Sequence, residues 1–197
     1  MTDSRDKDLL TASYHYDLPP ELIAHRPSPE RDQSRLMVLS GQDQIQHAIF
    51  SDLPHYLEAG DCLVVNDSRV IPARLYGEKT GTGGRVEFLL LAPAGQGLWR
   101  VLVKPGRHAR PGQLIHFAGG RLEARVEALE ADGSRLVSFS HEGDFMTLIE
   151  EIGVVPLPPY IHEKLEDPSR YQTVYARESG SAAAPTAGLH FTESMLA

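Results

Sequence analysis

With one cysteine, Cys62, the sequence cannot be held by a disulfide framework. It has no apolar run near the roughly 18 residues needed to cross a bilayer. Met1 to Leu10 is polar with alternating charge rather than an apolar leader, which points to the cytoplasm and away from a membrane. Gly-x-x-x-x-Gly-Lys-Ser/Thr, Gly-x-Gly-x-x-Gly, His-Glu-x-x-His and the nucleophile elbow are all missing, so the common phosphate, dinucleotide, zinc and acyl-transfer sites have no support. Nine histidines are scattered without metal-ligand spacing, and no metal is expected. Basic residues are the minority, 19 Lys+Arg against 27 Asp+Glu for a net charge of −8, and that balance alone argues against a nucleic-acid partner.

What is there is ordinary globular composition, 41% hydrophobic and 23% charged over 197 residues, enough for one large or two small domains without covalent staples. The charge is unevenly spread. Residues 61 to 125 hold ten basic and five acidic residues, a local balance of +5 that leaves −13 for the rest. A basic surface on an acidic protein is compatible with docking a polyanion.

Leu18 to Ala24 reads as a short helix entered through Pro19 and Pro20, because proline is tolerated where first-turn amides have no partner. Leu36 to Leu39 and Cys62 to Val65 are apolar runs of strand length, and Cys62 reads as a small buried hydrophobe. Ser51 to Ala59, closed by Gly60, reads as a helical turn between them. From about 70 to 140 strands and turns alternate closely: Arg85 to Leu91, Leu98 to Val103, Gln113 to Phe117, Arg121 to Ala128 and Arg135 to Phe139. In Arg121 to Ala128, Leu122, Ala124, Val126 and Ala128 share one face and the charged residues the other. Such a series closes on itself, since closure removes exposed edges. Asp144 is placed to cap a helix through Phe145, Leu148, Ile149 and Ile152 that ends at Gly153, and Thr192 and Glu193 open another. Between them, Val155 to Tyr160 is extended by its three prolines. The expected fold class is α+β and multidomain. A polar tail (1–15) precedes an antiparallel β-barrel-like domain (70–144) inserted into an α/β region (16–69 and 145–197) that is incomplete at its C-terminus.

Four segments can carry chemistry. Asn66 to Arg74 places a polar cluster after an apolar run, where α/β loops hold ligands, or else forms a turn stabilised by its Asn and Asp side chains. Thr80-Gly81-Thr82-Gly83-Gly84 can bring amides to an anion, or can be a flexible hairpin. Lys104 to Gly112 is a basic loop that can hold phosphates, or a solvated face. Ala182 to Thr192 joins small residues, Pro185, a hydroxyl and the lone imidazole of His190, which can move a proton near neutral pH or be a satisfied structural group.

Five strings in order resemble the S-adenosylmethionine:tRNA ribosyltransferase-isomerase family of queuosine biosynthesis: Asp17 to Ala24, Gly60 to Leu75, Pro156 to Ile161, Tyr171 to Ala176 and Ala184 to Phe191. The resemblance implies an enzyme that transfers and isomerises the ribosyl group of S-adenosylmethionine onto 7-aminomethyl-7-deazaguanine in tRNA. The products would be epoxyqueuosine, adenine and methionine. It implies S-adenosylmethionine as ribosyl-donating substrate, that tRNA as partner and a monomer. Joined to the four segments, it makes His190 and Thr186 the candidate catalytic groups, with Asn66, Asp67, Arg69, Arg74, Lys104, Arg107, Arg110, Pro185 and Gly188 as substrate-binding residues.

Members of the family continue well beyond a point equivalent to Ala197, so the sequence reads as a fragment, a truncated product or an unusual short member. A site lined by Pro185 to Phe191 would then take its far wall from the region after Ala197, and the 197-residue chain alone is expected to release no adenine. A noncatalytic tRNA-binding module and a purely structural β-barrel partner are the competing readings. Adenine release from S-adenosylmethionine separates them, because binding alone breaks no bond.

Overall fold

The computed structural model describes residues 7–41, 44–158, 160–161, 167–181 and 183–197. Part of the expected polar tail (1–6), Pro159 of the proline-rich stretch and Ala182 of the small-residue segment lie outside the described residues.

The centre of the fold is a closed barrel of six strands: β4 (Arg74–Lys79), β5 (Arg85–Gly95), β6 (Leu98–Lys104), β7 (Leu114–Phe117), β8 (Leu122–Leu129) and β9 (Arg135–His141). Their order around the wall is β4-β5-β6-β9-β8-β7, and β7 returns to β4. Every neighbouring pair is antiparallel. The sequence produces this by period-two patterning. Leu75 on β4, Val86, Phe88 and Leu90 on β5, and Leu122, Ala124 and Val126 on β8 all point inward and are buried. Phe88 and Phe117 meet edge-on at 5.2 Å in the interior. Burying each large apolar side chain contributes about 1.5–3 kcal/mol, so this one cluster dominates the stability of the fold.

Closure also explains Gly77, in the middle of β4. A Cβ there would stand 2.6 Å from both His116 O and Phe117 Cδ1, so the two strands can meet only over a glycine. One end of the barrel is sealed by α1 (Phe145–Ile152), whose Leu148 and Ile149 join the barrel core. Asp144 caps α1 as its sequence anticipates, accepting from Thr147 N at 2.8 Å and Thr147 Oγ1 at 2.9 Å. Phe145 lies against Trp99, Phe139 and His141 at ring distances of 5.1–5.4 Å. The chain leaves α1 at Gly153, where a Cβ would collide with the carbonyl of Pro72.

Outside the barrel, β1 (Arg35–Ser40) and β2 (Gln44–Ile49) form an antiparallel hairpin, and β3 (Ser68–Val70) pairs in parallel with β10 (Glu178–Ser181). A short helix, α2 (Glu193–Leu196), is capped by Thr192 Oγ1, which accepts from Met195 N at 3.3 Å. The helix expected over Leu18 to Ala24 shrinks to a single 3-10 turn, Pro20–Leu22. The structure corrects one expectation more sharply. Cys62 to Val65 is not a buried strand: no strand among the described residues pairs with it, Cys62 is exposed, and Val64 is 88% exposed. Apolar composition alone does not make a strand where no ladder partner supplies hydrogen bonds. No helix among the described residues is long and apolar enough to cross a membrane.

Candidate functional site

Two strings more than a hundred positions apart in sequence are brought together by the β3–β10 pair. Ser68, Arg69 and Val70 lie opposite Glu178, Ser179 and Ser181, and a register shift separates Ser179 from Ser181. Ile71 N extends the ladder by donating to Ser181 O at 3.0 Å. At the other end Asp67 O accepts from Arg177 N at 2.8 Å and from Glu178 N at 3.2 Å. Gln172 completes the joint: its Oε1 accepts from Val70 N at 2.9 Å and its Nε2 donates to Val70 O at 2.6 Å, mimicking a strand edge with one side chain. β10 then delivers the chain into the small-residue segment.

That segment closes as a 3-10 turn, Thr186–His190, with Gly188 N donating to Pro185 O at 2.8 Å. It rests on Phe191, which is buried edge-on against Phe50 at 5.0 Å and faces Tyr175 at 6.2 Å. Gly188 is buried over Tyr175 and Thr173. A Cβ on it would fall on the Tyr175 hydroxyl and 2.9 Å from Thr173 Cγ2. Its missing side chain is thus filled by protein, and Pro185 and Gly188 together set the path of the turn. Burial pushes the Tyr175 phenol up, so it stays protonated and a hydrogen-bond donor at neutral pH. Thr173 is 5% exposed and its hydroxyl has no partner among the described residues. An unpaired buried hydroxyl costs about 1–3 kcal/mol, which singles out this position beneath the turn.

The two candidate catalytic groups stand on the turn. His190 is half-buried with its ring 5.2 Å from that of Phe50, and its nitrogens have no hydrogen-bond partner among the described residues. Thr186 is exposed. A pair of arginines that sequence reasoning missed ties the turn to the N-terminal segment. Arg31 donates to Leu189 O at 2.9 Å and to Ser169 O at 2.8 Å. Arg170 returns the grip on Pro29 O at 2.6 Å and Ser28 O at 2.7 Å. Burial, and then the charge of Arg170, lower the Arg31 pKa, while Asp167 opposes them. Nothing in the sequence signals these contacts, because their acceptors are backbone carbonyls.

The candidate binding residues are distributed over two regions. Asn66 Oδ1 accepts from Ser68 N at 2.9 Å, a local turn, and Asp67 lies 3.5 Å from exposed Arg177. Arg69 reaches Glu150 on α1 at 3.3 Å. Arg74 is on the barrel wall, held by Glu87 at 3.1 Å. Lys104 ends β6, and Arg107 and Arg110 occupy the β6–β7 connection, which starts at the cis Lys104–Pro105 peptide. Arg107 Nε lies 3.4 Å from His108 Nε2, and Arg110 N donates to Gln113 Oε1 at 2.9 Å. The structure therefore joins Asn66, Asp67 and Arg69 to the Pro185–His190 turn through β3 and β10. No hydrogen bond or ion pair among the described residues links Arg74, Lys104, Arg107 or Arg110 to that turn. Among the described residues no group of three or more His, Cys, Asp or Glu is arranged to hold a metal ion.

A closed antiparallel barrel sealed at one end by a helix, carrying a parallel two-strand joint and a small-residue turn, defines an α+β protein of mixed architecture. The sequence profile described as "Queuosine biosynthesis protein" matches residues 11–197, and the chain belongs to that family. It is 54% identical over 186 residues to the S-adenosylmethionine:tRNA ribosyltransferase-isomerase of Acetivibrio thermocellus, covering 94% of this chain and 54% of that protein. The protein of the same name from Symbiobacterium thermophilum matches to the same extent, 54% identity with 94% and 54% coverage. A crystal structure of S-adenosylmethionine tRNA ribosyltransferase from Thermotoga maritima is 35% identical, covers 92% of this chain and 51% of that one, and superposes with a TM-score of 0.36. The chain spans about half the length of the curated relatives it matches.

Proposed function

We propose that the protein transfers and isomerises the ribosyl group of S-adenosylmethionine onto 7-aminomethyl-7-deazaguanine in tRNA, giving epoxyqueuosine with release of adenine and methionine. Family membership and the names of the relatives support the reading. The observation that carries it in this chain is the imidazole of His190, without a hydrogen-bond partner among the described residues, on a turn fixed by Gly188, Arg31 and the β3–β10 joint. The sulfonium of S-adenosylmethionine acidifies its 5′ carbon, so a base held beside it can start a sequence that ends in loss of adenine and attack by the amine of the modified base. In this reading His190 moves the proton and Thr186 offers a hydroxyl to the reacting groups. Pro185 and Gly188 hold the turn, and Asn66, Asp67 and Arg69 stand beside it. Lys104, Arg107 and Arg110 contact tRNA phosphates, and Arg74 supports the same wall.

The protein works without a metal, as a cytoplasmic monomer off the membrane, and residues 70–144 form a unit inserted between 16–69 and 145–197. Sedimentation showing a stable dimer would remove the monomer. Proteolysis that cuts inside 70–144 before its flanks would remove the inserted unit.

The test is chromatographic detection of adenine from S-adenosylmethionine and precursor tRNA, with a chain of the relatives' length. His190→Ala should lower kcat while leaving tRNA affinity near the unmutated value. Neutralising Lys104, Arg107 and Arg110 together should instead weaken tRNA binding and reduce its salt slope by roughly one per lost phosphate contact. Binding of tRNA without any adenine would leave a noncatalytic RNA-binding module in its place.

A further inference from the structure

The outer wall of the barrel carries an open groove of about 1340 Å³, bounded by the β4–β5 hairpin, the start of the β6–β7 connection and the 118–120 turn. Pockets that enclose a small molecule are roughly 300–1,000 Å³, so an open groove of this size suits a polymer laid along it. Its lining follows from the pleat. Because Leu75 points into the core, Tyr76 points outward, and the residue is 58% exposed in the groove.

Arg85 and Lys104, on the outer face with Tyr76 by register, and Lys79 at the end of β4 line the same groove, and none of the three forms an ion pair among the described residues. Of the two carboxylates on the wall, Glu87 is engaged by Arg74 at 3.1 Å, which leaves Glu78. Uncommitted charge in the groove is therefore three positive to one negative, in a protein of net charge −8. The rim is open backbone: Gly81, Gly83, Gly119 and Gly120 have positive φ, and nothing lies within 4 Å of where their Cβ atoms would be. Such a rim lets a bulky anion approach main-chain amides closely. His108 Nδ1, 3.1 Å from Arg85 O, attaches the basic 104–112 loop to the same edge.

We propose that this groove binds a single-stranded segment of RNA, with an unpaired base stacked on Tyr76 and the neighbouring phosphates held by Lys79, Arg85 and Lys104. An exposed aromatic flanked by free cations is the arrangement that recognises unstacked bases, whereas a duplex keeps its base faces to itself. The inference rests on the reading that the protein acts on tRNA, whose loops present such bases, and it assigns that contact to a barrel surface distinct from the His190 turn.

The experiment is fluorescence anisotropy of the 197-residue chain with an unmodified anticodon-arm RNA hairpin and with a blunt RNA duplex of equal length, over a series of salt concentrations. The hairpin should bind more tightly than the duplex. Tyr76→Ala should weaken hairpin binding by roughly 5- to 150-fold, the worth of one stacked base, while Tyr76→Phe binds like the unmutated chain. Lys79→Gln with Arg85→Gln should reduce the slope of log affinity on log salt by about 1.4. Arg121→Gln, on a barrel arginine engaged with Glu151, should change neither. Hairpin binding by Tyr76→Ala equal to the unmutated chain, an unchanged slope, or no RNA binding at all would overturn the proposal. If a variant fails to fold, crosslinking of a 4-thiouridine hairpin to the unmutated chain decides: crosslinks within 76–85 uphold it and crosslinks elsewhere overturn it. Adenine release with groove variants that bind normally sinks this inference alone. Groove-dependent binding with no adenine release from a chain of the relatives' length sinks the transferase reading and leaves the groove.

Discussion

Replacing Gly188 by alanine isolates the contact that sets the candidate site. The φ of Gly188 is not positive, so alanine suits its backbone and would by itself stabilise a helical turn by about 0.5–1 kcal/mol. The added methyl, however, falls on the Tyr175 hydroxyl and within 2.9 Å of Thr173 Cγ2, inside a buried contact. Overpacking of this kind costs about 1–3 kcal/mol, so the net expectation is a loss of about 1–2 kcal/mol. In a domain of this size that lowers Tm by roughly 2–8 °C. The diagnostic comparison is with Tyr175→Phe, which removes the colliding oxygen and leaves the ring carbon Cζ at 3.4 Å, an ordinary contact. Gly188→Ala should therefore cost about 1 kcal/mol less in the Tyr175→Phe background, measured as a double-mutant cycle by thermal or urea unfolding. Recovery should be partial, because Thr173 Cγ2 remains. Gly188→Ala unfolding like the unmutated protein, or costing the same in both backgrounds, would refute the argument that Tyr175 occupies the space of the missing side chain.

Three other outcomes follow from the same geometry. Gln172→Ala strips Val70 of both side-chain partners and should cost about 1–3 kcal/mol, with faster hydrogen exchange at Val70 and Ile71. At Asp144, hydrogen bonds from Thr147 N and then Oγ1 hold the carboxyl below the ordinary carboxylate range. Its contribution to stability is present above its unfolded value and is lost as pH falls through its lowered folded value, so Asp144→Asn should flatten the acid limb of a Tm-against-pH curve below the ordinary carboxylate range. Gly153→Ala, which collides with the backbone of Pro72, should destabilise without any side-chain change restoring it, in contrast to Gly188→Ala.

Most of the barrel was legible in the sequence because its signal is local. Alternation in Leu122 to Val126 and turn glycines between strands mark five of the six strands within short windows. β4 was not legible, since Arg74-Leu75-Tyr76-Gly77-Glu78-Lys79 has a glycine at its centre. The reason for Gly77 is the ring of Phe117, forty positions away. The β3–β10 pair was hidden likewise: Glu178 to Ser181 contains no apolar residue, and its pairing depends on Gln172 and Asp67 backbone contacts. Cys62 to Val65 failed in the opposite direction, apolar enough to read as a strand yet unpaired and exposed. At the candidate site, His190 and the small-residue segment were singled out by residue type, and the resemblance added Thr186 and Gly188 as candidates. Arg31, Arg170 and Thr173 were not, because main-chain acceptors and a buried hydroxyl leave no pattern in sequence. The groove around Tyr76 was read only in part. Lys104 lay in a basic loop and Thr80 to Gly84 read as a hairpin or an anion cradle, while the wall that unites them with Tyr76 and Arg85 exists only once β4, β5 and β6 pair side by side.

The central proposal is that the protein, at its relatives' length, breaks the bond between adenine and ribose in S-adenosylmethionine while tRNA is bound. The most direct measurement is adenine released per epoxyqueuosine formed, by a chain of the relatives' length given S-adenosylmethionine with and without tRNA carrying 7-aminomethyl-7-deazaguanine. The account predicts one adenine for each modified tRNA, none without tRNA, and a much reduced rate for His190→Ala. Tight tRNA binding with no adenine, or adenine released at the same rate in the absence of tRNA, would contradict it.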